Sequence, residues 1–253
     1  KMLKSNYIKM IKKSKTRIFL EKPISSNLMI YIKKKQHHYL KNVLRIKIDD
    51  KINVFDGISG EWETNVLTIN RDTTVLKVKN KIKNIKKCED IWLVFSPIKK
   101  HRMSLSIQKA TELGVSKIVP CISEYTNFRK INIKSLKDNA VEAAEQSERL
   151  DLPVIEKPLD LKNLLSEWPQ DRKLIFCDEK KESSELMFKT LSPLKNSIKK
   201  FAVFIGPEGG FSDDEHEMIL KNDNVIAVSL GERLLRSDTA ITVSLFCIQE
   251  LLS

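Results

Sequence analysis

Glu208, Arg233 and Arg236 are the side chains whose types and spacing best suit chemistry, because each stands in a short glycine-bearing loop that follows an apolar run. The first run and loop read Phe201-Ala-Val-Phe-Ile-Gly-Pro-Glu-Gly-Gly-Phe211, and the second runs from Val225 through Gly231 to Ala240. An apolar strand, a glycine and then a helix pattern is how an α/β protein builds a ligand crevice at the carboxyl ends of its strands. Three of the seven glycines, Gly206, Gly209 and Gly210, fall in the first loop, and Gly231 opens the second. Glycine so clustered implies a backbone brought close to something, or a positive φ. Flanked by proline and glycine, Glu208 has no helical turn to serve. It reads either as a carboxylate projecting into the crevice or as an exposed turn residue. Arginine at a helix N-terminus opposes the helix dipole, which points to an external anion or carboxylate holding it there. The alternative of a solvated surface arginine suits Arg233 better than Arg236.

Other chemistries fit poorly. The first loop lacks the Gly-Lys-Ser/Thr ending of a P-loop and the G-x-G-x-x-G spacing of a dinucleotide site. Ser212-Asp-Asp-Glu215 reads as a capping box for the helix that follows it. Ser237 reads as the cap of the final helix, with Asp238 suited to the dipole in its first turn. The cysteines (Cys88, Cys121, Cys177, Cys247) are isolated, and the four histidines lack cysteine or carboxylate partners at metal-ligand spacing. No metal is expected.

The elements that must position these loops follow from the apolar patterning. From Ile91 onward, strands alternate with helices, implying a mostly parallel sheet flanked by helices. The expected strands are Ile91 to Ser96, Lys117 to Cys121, Pro153 to Ile155, Leu174 to Cys177, Phe201 to Ile205 and Val225 to Leu230. The expected helices are Lys99 to Gly114 with Gly114 closing it, Ser135 to Leu150, and Ser237 to Leu252 with an apolar stripe of Ile241, Leu245, Ile248 and Leu252. The N-terminal part reads differently. Arg17 to Leu20, Lys47 to Gly57, Glu61 to Ile69 and Thr73 to Lys79 are short strand candidates, and His37 to Arg45 places Leu40 and Leu44 one helical turn apart. Such a series suggests a small barrel. The lysine-rich stretch Lys79 to Lys87 reads as a linker, so the expected domains are residues 1–80 and 81–253.

Charge is divided unevenly between the two. The chain carries a formal net charge of +12. Residues 1–80 hold 18 Lys+Arg and 7 Asp+Glu, a net of +11, whereas residues 81–253 hold 27 and 26, a net of +1. A basic module on a near-neutral partner is the footprint of polyanion binding, and RNA or DNA is favoured over a simple lysine bias of the genome. No apolar run approaches the roughly 18–20 residues a membrane span requires, and no secretory h-region is evident, so a cytoplasmic protein is expected. The lysine-rich first 20 residues only faintly resemble an organellar leader.

Six segments together carry a family resemblance. IGPEGGFSDDE followed by LGERLLRSDTA, with RIF (Arg17 to Phe19) and HHYLKNVLR, QKATELGVSKIVP (Gln108 to Pro120) and AAEQSERLDLP (Ala143 to Pro153), resembles the RsmE family of SPOUT-class methyltransferases. The departures are Asp238 and Tyr125-Thr126. That resemblance implies a PUA-like β-barrel followed by an α/β domain with a C-terminal trefoil knot. It implies S-adenosyl-L-methionine as cofactor, held by Cys177, Gly206, Glu208, Gly209, Gly210, Phe211, Leu230, Gly231, Leu234, Leu235 and Arg236. It also implies methylation of a uridine N3 in 16S RNA of the small ribosomal subunit, by a homodimer. In that setting Arg236 is the expected electrostatic group and Glu208 the candidate base. Arg17, Arg45, Lys99, Lys100 and Arg102 are the expected RNA contacts. The final helix and the Glu145 to Arg149 segment are candidate dimer contacts. A related enzyme acting on another base or on tRNA, and a non-catalytic ribosome-binding protein, stay open as rival readings.

Overall fold

The computed structural model describes residues 16–180 and 184–252; most of the lysine-rich N-terminal stretch lies outside them. The chain divides into two compact units, Lys1–Lys87 and Cys88–Ser253.

In the first unit, β1 (Arg17–Phe19), β2 (Met29–Lys33), helix α1 (Lys34–His38), β3 (Lys51–Phe55), β4 (Glu61–Ile69) and β5 (Thr73–Lys83) form a five-stranded sheet in the order β1-β3-β4-β5-β2. Only the β1–β3 pair is parallel. Register shifts between β4 and β5 bend the sheet around a core of Ile18, Ile32, Leu40, Ile52, Val54, Val66, Leu76 and Val78. Gln36, in α1 after the last strand of that order, donates 2.9 Å to the Phe19 carbonyl at the other end of it, drawing the two edges together. The helical turn expected over His37 to Arg45 opens into a π-turn at Tyr39–Val43, with Leu40 buried and Leu44 exposed.

The expected linker is shorter than its lysines suggest. β5 continues through Lys83, and its last five residues are all exposed. They pair with β4 nonetheless, where Lys81 lies over the Trp62 ring at 5.2 Å and Lys83 reaches Glu61 at 3.6 Å. Exposure on both faces removes the apolar alternation by which such a strand is recognised, while lysine stems can cover neighbouring apolar surface.

Arg17 is a correction of a different kind. Its side chain is buried, not free for RNA: Nε donates 2.8 Å to Glu61, itself 1% exposed, and the guanidinium lies 4.5 Å over the Phe55 ring. Asn53 also donates to that carboxylate. A buried carboxylate needs this neutralisation, because an uncompensated charge in the interior costs several kcal/mol.

The second unit has a parallel sheet in the order β12-β10-β11-β6-β7-β8, built from β6 (Ile91–Phe95), β7 (Lys117–Ile122), β8 (Val154–Ile155), β10 (Lys173–Cys177), β11 (Phe201–Ile205) and β12 (Val225–Val228), with the short β9 (Leu159–Asp160) also pairing with β7. The near-continuous apolar runs of β6 and β11 are those of central strands covered on both faces. One face is covered by α2 (Lys100–Glu112), α3 (Ile133–Gln146), α5 (Met187–Leu191) and α7 (Ser237–Leu252), through residues such as Ile107, Ala140, Leu191 and Ile241. The other face is covered by α4 (Leu161–Ser166) and α6 (Asp213–Leu220), through Leu164, Trp168, Phe211 and Ile219.

Most expected elements are present with shifted ends. Gly114 takes φ +70° just past α2, as a helix-ending glycine should. α3 begins two residues before Ser135 and stops at Gln146, and Glu148 turns left-handed at φ +59°. Arg149 is then buried, bonding Asp151 at 2.9 Å and the Thr111 carbonyl at 2.9 Å. It braces the unit internally and is no free dimer contact. On α7 the stripe Ile241, Leu245 and Ile248 faces the monomer's own core. Beyond β10 the chain crosses the end of β12: Ser229 N donates to Glu185 O at 2.8 Å, and Met187 N to Ser229 O at 2.9 Å.

Removing Arg17 tests this account of the first unit. Arg17→Ala is expected to destabilise the fold by about 3 kcal/mol, the scale of a broken buried ion pair, read as a lower urea midpoint by circular dichroism.

Candidate active site

Because β10, β11 and β12 are adjacent and parallel, the loops at their carboxyl ends emerge side by side. Between them lies a cavity of about 280 Å³, near the lower end of the roughly 300–1,000 Å³ typical of ligand pockets. The end of β10 contributes Cys177, Asp178 and Glu179. Beyond β11 come Gly206, Pro207, Glu208 and Phe211, and beyond β12 come Leu230, Gly231, Arg233, Leu234, Leu235 and Arg236. Ser237 and Ala240 of α7, and Arg102 of α2, complete the wall.

The floor is aromatic and tightly set. The Phe211 ring stands 5.6 Å from that of Phe176 and 5.3 Å from that of Phe204, edge to face with both. Gly206 lies directly against it: a Cβ there would come within 2.4 Å of the Phe211 ring. Gly231 is the converse. Its φ is +111°, and a Cβ would meet nothing within 4 Å, so that side of the cavity keeps free space against bare backbone.

Gly209 and Gly210, expected as cofactor contacts, do not line the cavity; they shape its rim. Gly210 N closes the turn onto the Pro207 carbonyl at 3.0 Å with φ +71°, and a Cβ there would meet Glu179 Oε1 at 1.9 Å. At Gly209 a Cβ would stand 3.3 Å from Tyr125 Cβ. The capping box is present, with Ser212 and Glu215 exchanging bonds at the start of α6. Ser237 does not cap α7. The first helical bond runs from Ala240 N to the Arg236 carbonyl at 2.8 Å, which puts Arg236 at the capping position and Ser237 inside the helix.

The charges divide into paired and unpaired. Glu208 forms an ion pair with Arg102, which enters from the first turn of α2. Arg102, expected on an RNA track, is thus a cavity residue, whereas Lys99 and Lys100 beside it are exposed. Arg45 is exposed in the first unit, in a left-handed turn at φ +52°. Arg233 and Arg236 both line the cavity, both are exposed, and neither side chain makes a hydrogen bond or ion pair among the described residues, so exposure does not set the two apart.

Two acids went unnoticed in the sequence because they follow a strand that ends without glycine. Asp178 is buried, meeting His216 Nε2 at 2.9 Å and accepting from Lys180 N at 3.0 Å through Oδ1, and its Oδ2 has no partner among the described residues. Burial, and then the neighbouring Asp178 carboxylate, raise the pKa of Glu179 above the ordinary range. The Cys177 thiol is driven by burial to about 12, so it serves as a neutral wall rather than a nucleophile. Among the described residues no group of three or more His, Cys, Asp or Glu could hold a metal ion.

Comparison with known proteins shows the family. The family described as RNA methyltransferase domain matches residues 84–249, and the RNA methyltransferase PUA domain matches residues 32–79. The chain is 32% identical to the ribosomal RNA small subunit methyltransferase E of Rickettsia conorii, over 88% of this chain and 91% of that one. It is also 32% identical to the protein of the same name in Buchnera aphidicola subsp. Schizaphis graminum, over 94% and 97%. The chain belongs to the ribosomal RNA small subunit methyltransferase E family. Two solved structures share the fold of this chain. One is a putative methyltransferase of Legionella pneumophila in complex with bound cofactor SAM, with TM-score 0.83, 24% identity, and 93% and 97% of the two chains covered. The other is the methyltransferase E of Neisseria gonorrhoeae bound to S-adenosyl methionine, with TM-score 0.83, 22% identity, and 94% and 98% covered. The SPOUT-type α/β unit and the PUA-like unit expected from the resemblance are those of this family.

Glu179 offers a test by pH. Its folded pKa is raised, so it favours the fold when protonated, and that contribution disappears as pH climbs through the raised value. Glu179→Gln is therefore expected to raise the urea midpoint at pH 8 and leave it nearly unaltered at pH 4. Equal effects at both would remove Glu179 from a desolvated site.

Proposed function

We propose that this protein transfers a methyl group from S-adenosyl-L-methionine to N3 of a uridine in the RNA of the small ribosomal subunit. One observation carries this reading: the loops IGPEGG and LGERLLR, far apart in the chain, close a single cavity in a member of a family named for that class of reaction. The residues suit the cofactor. Leu230, Leu234, Leu235 and the aromatic floor provide apolar walls for a purine. The bare backbone at Gly231 leaves room for an approaching group, Glu179 offers acceptors to hydroxyl or ammonium donors, and the unpaired guanidinium groups of Arg233 and Arg236 suit a carboxylate. The bound cofactor supplies a methyl on a sulfonium, an activated leaving group that needs no metal.

What remains for the chain is alignment and management of the N3 proton. Holding the imide in line with the methyl removes much of the entropic barrier. Losing the proton puts negative charge on uracil O2 and O4, and Arg236, at the positive end of α7 and without a partner, is the group to stabilise it. Glu208 is the candidate acceptor of the proton. Arg102 orients that carboxylate, so Glu208 meets the substrate from a fixed position rather than as a mobile loop residue.

The wider setting follows. The basic PUA-like unit binds the RNA, with Arg45 among its exposed cations, and gives affinity and register rather than base choice. The clasp of Glu185 and Met187 on Ser229 supports the trefoil knot implied by the family. No helix among the described residues is long and apolar enough to cross a membrane, and ribosomal RNA as substrate favours the cytoplasm. The protein works as a homodimer through the outer face of α7, where Val243 and Phe246 are exposed, together with the exposed Phe188 of α5.

Mass spectrometry of small-subunit RNA lacking the modification, incubated with the full chain and S-adenosyl-L-methionine, is expected to show 3-methyluridine. A methyl on another base, or none, overturns the reading. Arg236→Ala is expected to slow single-turnover methylation by about 100-fold, the scale of losing one oxyanion donor. An unaltered rate ends that assignment.

A further inference from the structure

A second structure meets the cavity loop beside Gly209. The segment from Ser123 to Arg129 is a surface loop held by more bonds than an ordinary connection needs. Ser123 N donates to Thr126 Oγ1 at 2.9 Å, the two hydroxyls meet at 2.9 Å, and Thr126 N returns to the Ser123 carbonyl at 3.1 Å. Glu124 N is tied to Glu215 of the capping box at 2.8 Å, and Arg129 bonds the carbonyls of Ser123 and Glu124 at 3.2 and 2.9 Å. This bracing displays two aromatic residues to solvent, Tyr125 at 46% and Phe128 at 38% exposure. Tyr125 makes no side-chain hydrogen bond among the described residues, and the core of its unit is complete without either ring.

Two features assign an occupant. Tyr125 lies against the loop that carries Glu208, since a Cβ on Gly209 would stand 3.3 Å from its own Cβ. The other flank of that loop meets the start of α2, where Lys99, Lys100 and Arg102 stand with no acid in the first turn, and Glu208 answers only Arg102. Rigid aromatics and unanswered cations on either side of one cavity loop are the elements of single-stranded nucleic acid recognition, with stacking for bases and cations for phosphates.

We propose that Tyr125 and Phe128 form a stacking platform for unpaired RNA bases that neighbour the nucleotide entering the cavity. The inference rests on the methyltransferase reading above. It makes Tyr125 a positioning residue that holds the strand in register, an economical way to keep a base out of its stack.

The test compares the full chain with Tyr125→Ala, Tyr125→Trp and Phe128→Ala, using small-subunit RNA for methylation, an oligouridylate for binding, and calorimetry with S-adenosyl-L-methionine. Tyr125→Ala is expected to raise KM for the RNA and Kd for the oligonucleotide about tenfold, within the range that stacking of one base supplies. Cofactor affinity and the salt dependence of RNA binding should not alter, because no phosphate contact is lost. Tyr125→Trp should restore binding to within about twofold, since indole stacks as well, and Phe128→Ala should weaken it by several-fold. Unaltered RNA affinity in both alanine variants overturns the proposal. So does a parallel loss of cofactor binding that tryptophan does not rescue, or a fall in sedimenting mass in place of RNA affinity. If the wild-type chain methylates no ribosomal RNA, the functional reading fails, and oligonucleotide binding still decides the platform.

Discussion

Phe211 occupies the space that a side chain at position 206 would need, and the cavity is arranged around that contact. The ring fills the gap between Phe176 and Phe204 on the adjacent strands β10 and β11. To reach it, the chain must turn back over the end of β11 within six residues, which brings the backbone at Gly206 onto the ring face. That turn closes through Gly210 at positive φ, leaves Glu208 at the rim and starts α6 at Ser212. A methyl group at position 206 would lift the floor and shift the rim with it. The loop's glycines therefore act first through packing, which is why only some of them face the cavity.

Cations in this protein perform two separate jobs. Arg17, Arg149 and Arg172 are buried and spent on structure, the last stacking 3.8 Å over Trp92 while bonding the Asp90 and Phe201 carbonyls. A buried arginine can meet its desolvation cost only through several fixed bonds, which its planar fork supplies better than lysine's ammonium. Lysines such as Lys99 and Lys100 lie exposed on the surface, where a charge contributes little to stability and can meet phosphate. The excess of positive charge falls on the unit that matches the PUA domain, while Arg17, the arginine expected to lead an RNA contact there, is held inside.

At the cavity the same division decides the chemistry. Arg102 and Glu208 answer one another, which steadies a carboxylate without consuming both of its oxygens. Arg233 and Arg236 are exposed at the cavity mouth and unanswered among the described residues, so they are available to an arriving anion. Glu179 is an acid beside the buried Asp178 carboxylate, and its pKa is raised. The cavity thus presents both charge signs beside apolar walls.

What was legible in the sequence was whatever has a local cause. Apolar runs identified β6, β10, β11 and β12; Gly114 and the Ser212–Glu215 box marked helix ends; and the glycine loops marked the crevice. Those signals arise from backbone conformation and nearest neighbours, so they survive without coordinates. The burial of Arg17 and Arg149, the extension of β5 through five exposed residues, the pairing of Arg102 with Glu208, and the presence of Asp178 and Glu179 in the wall had no local signature. Most depend on partners tens of positions away, as far as the 106 that separate Arg102 from Glu208, or on the order of strands in the sheet. Which strand ends become neighbours, and hence which charges meet across the cavity, is settled only when the sheet assembles.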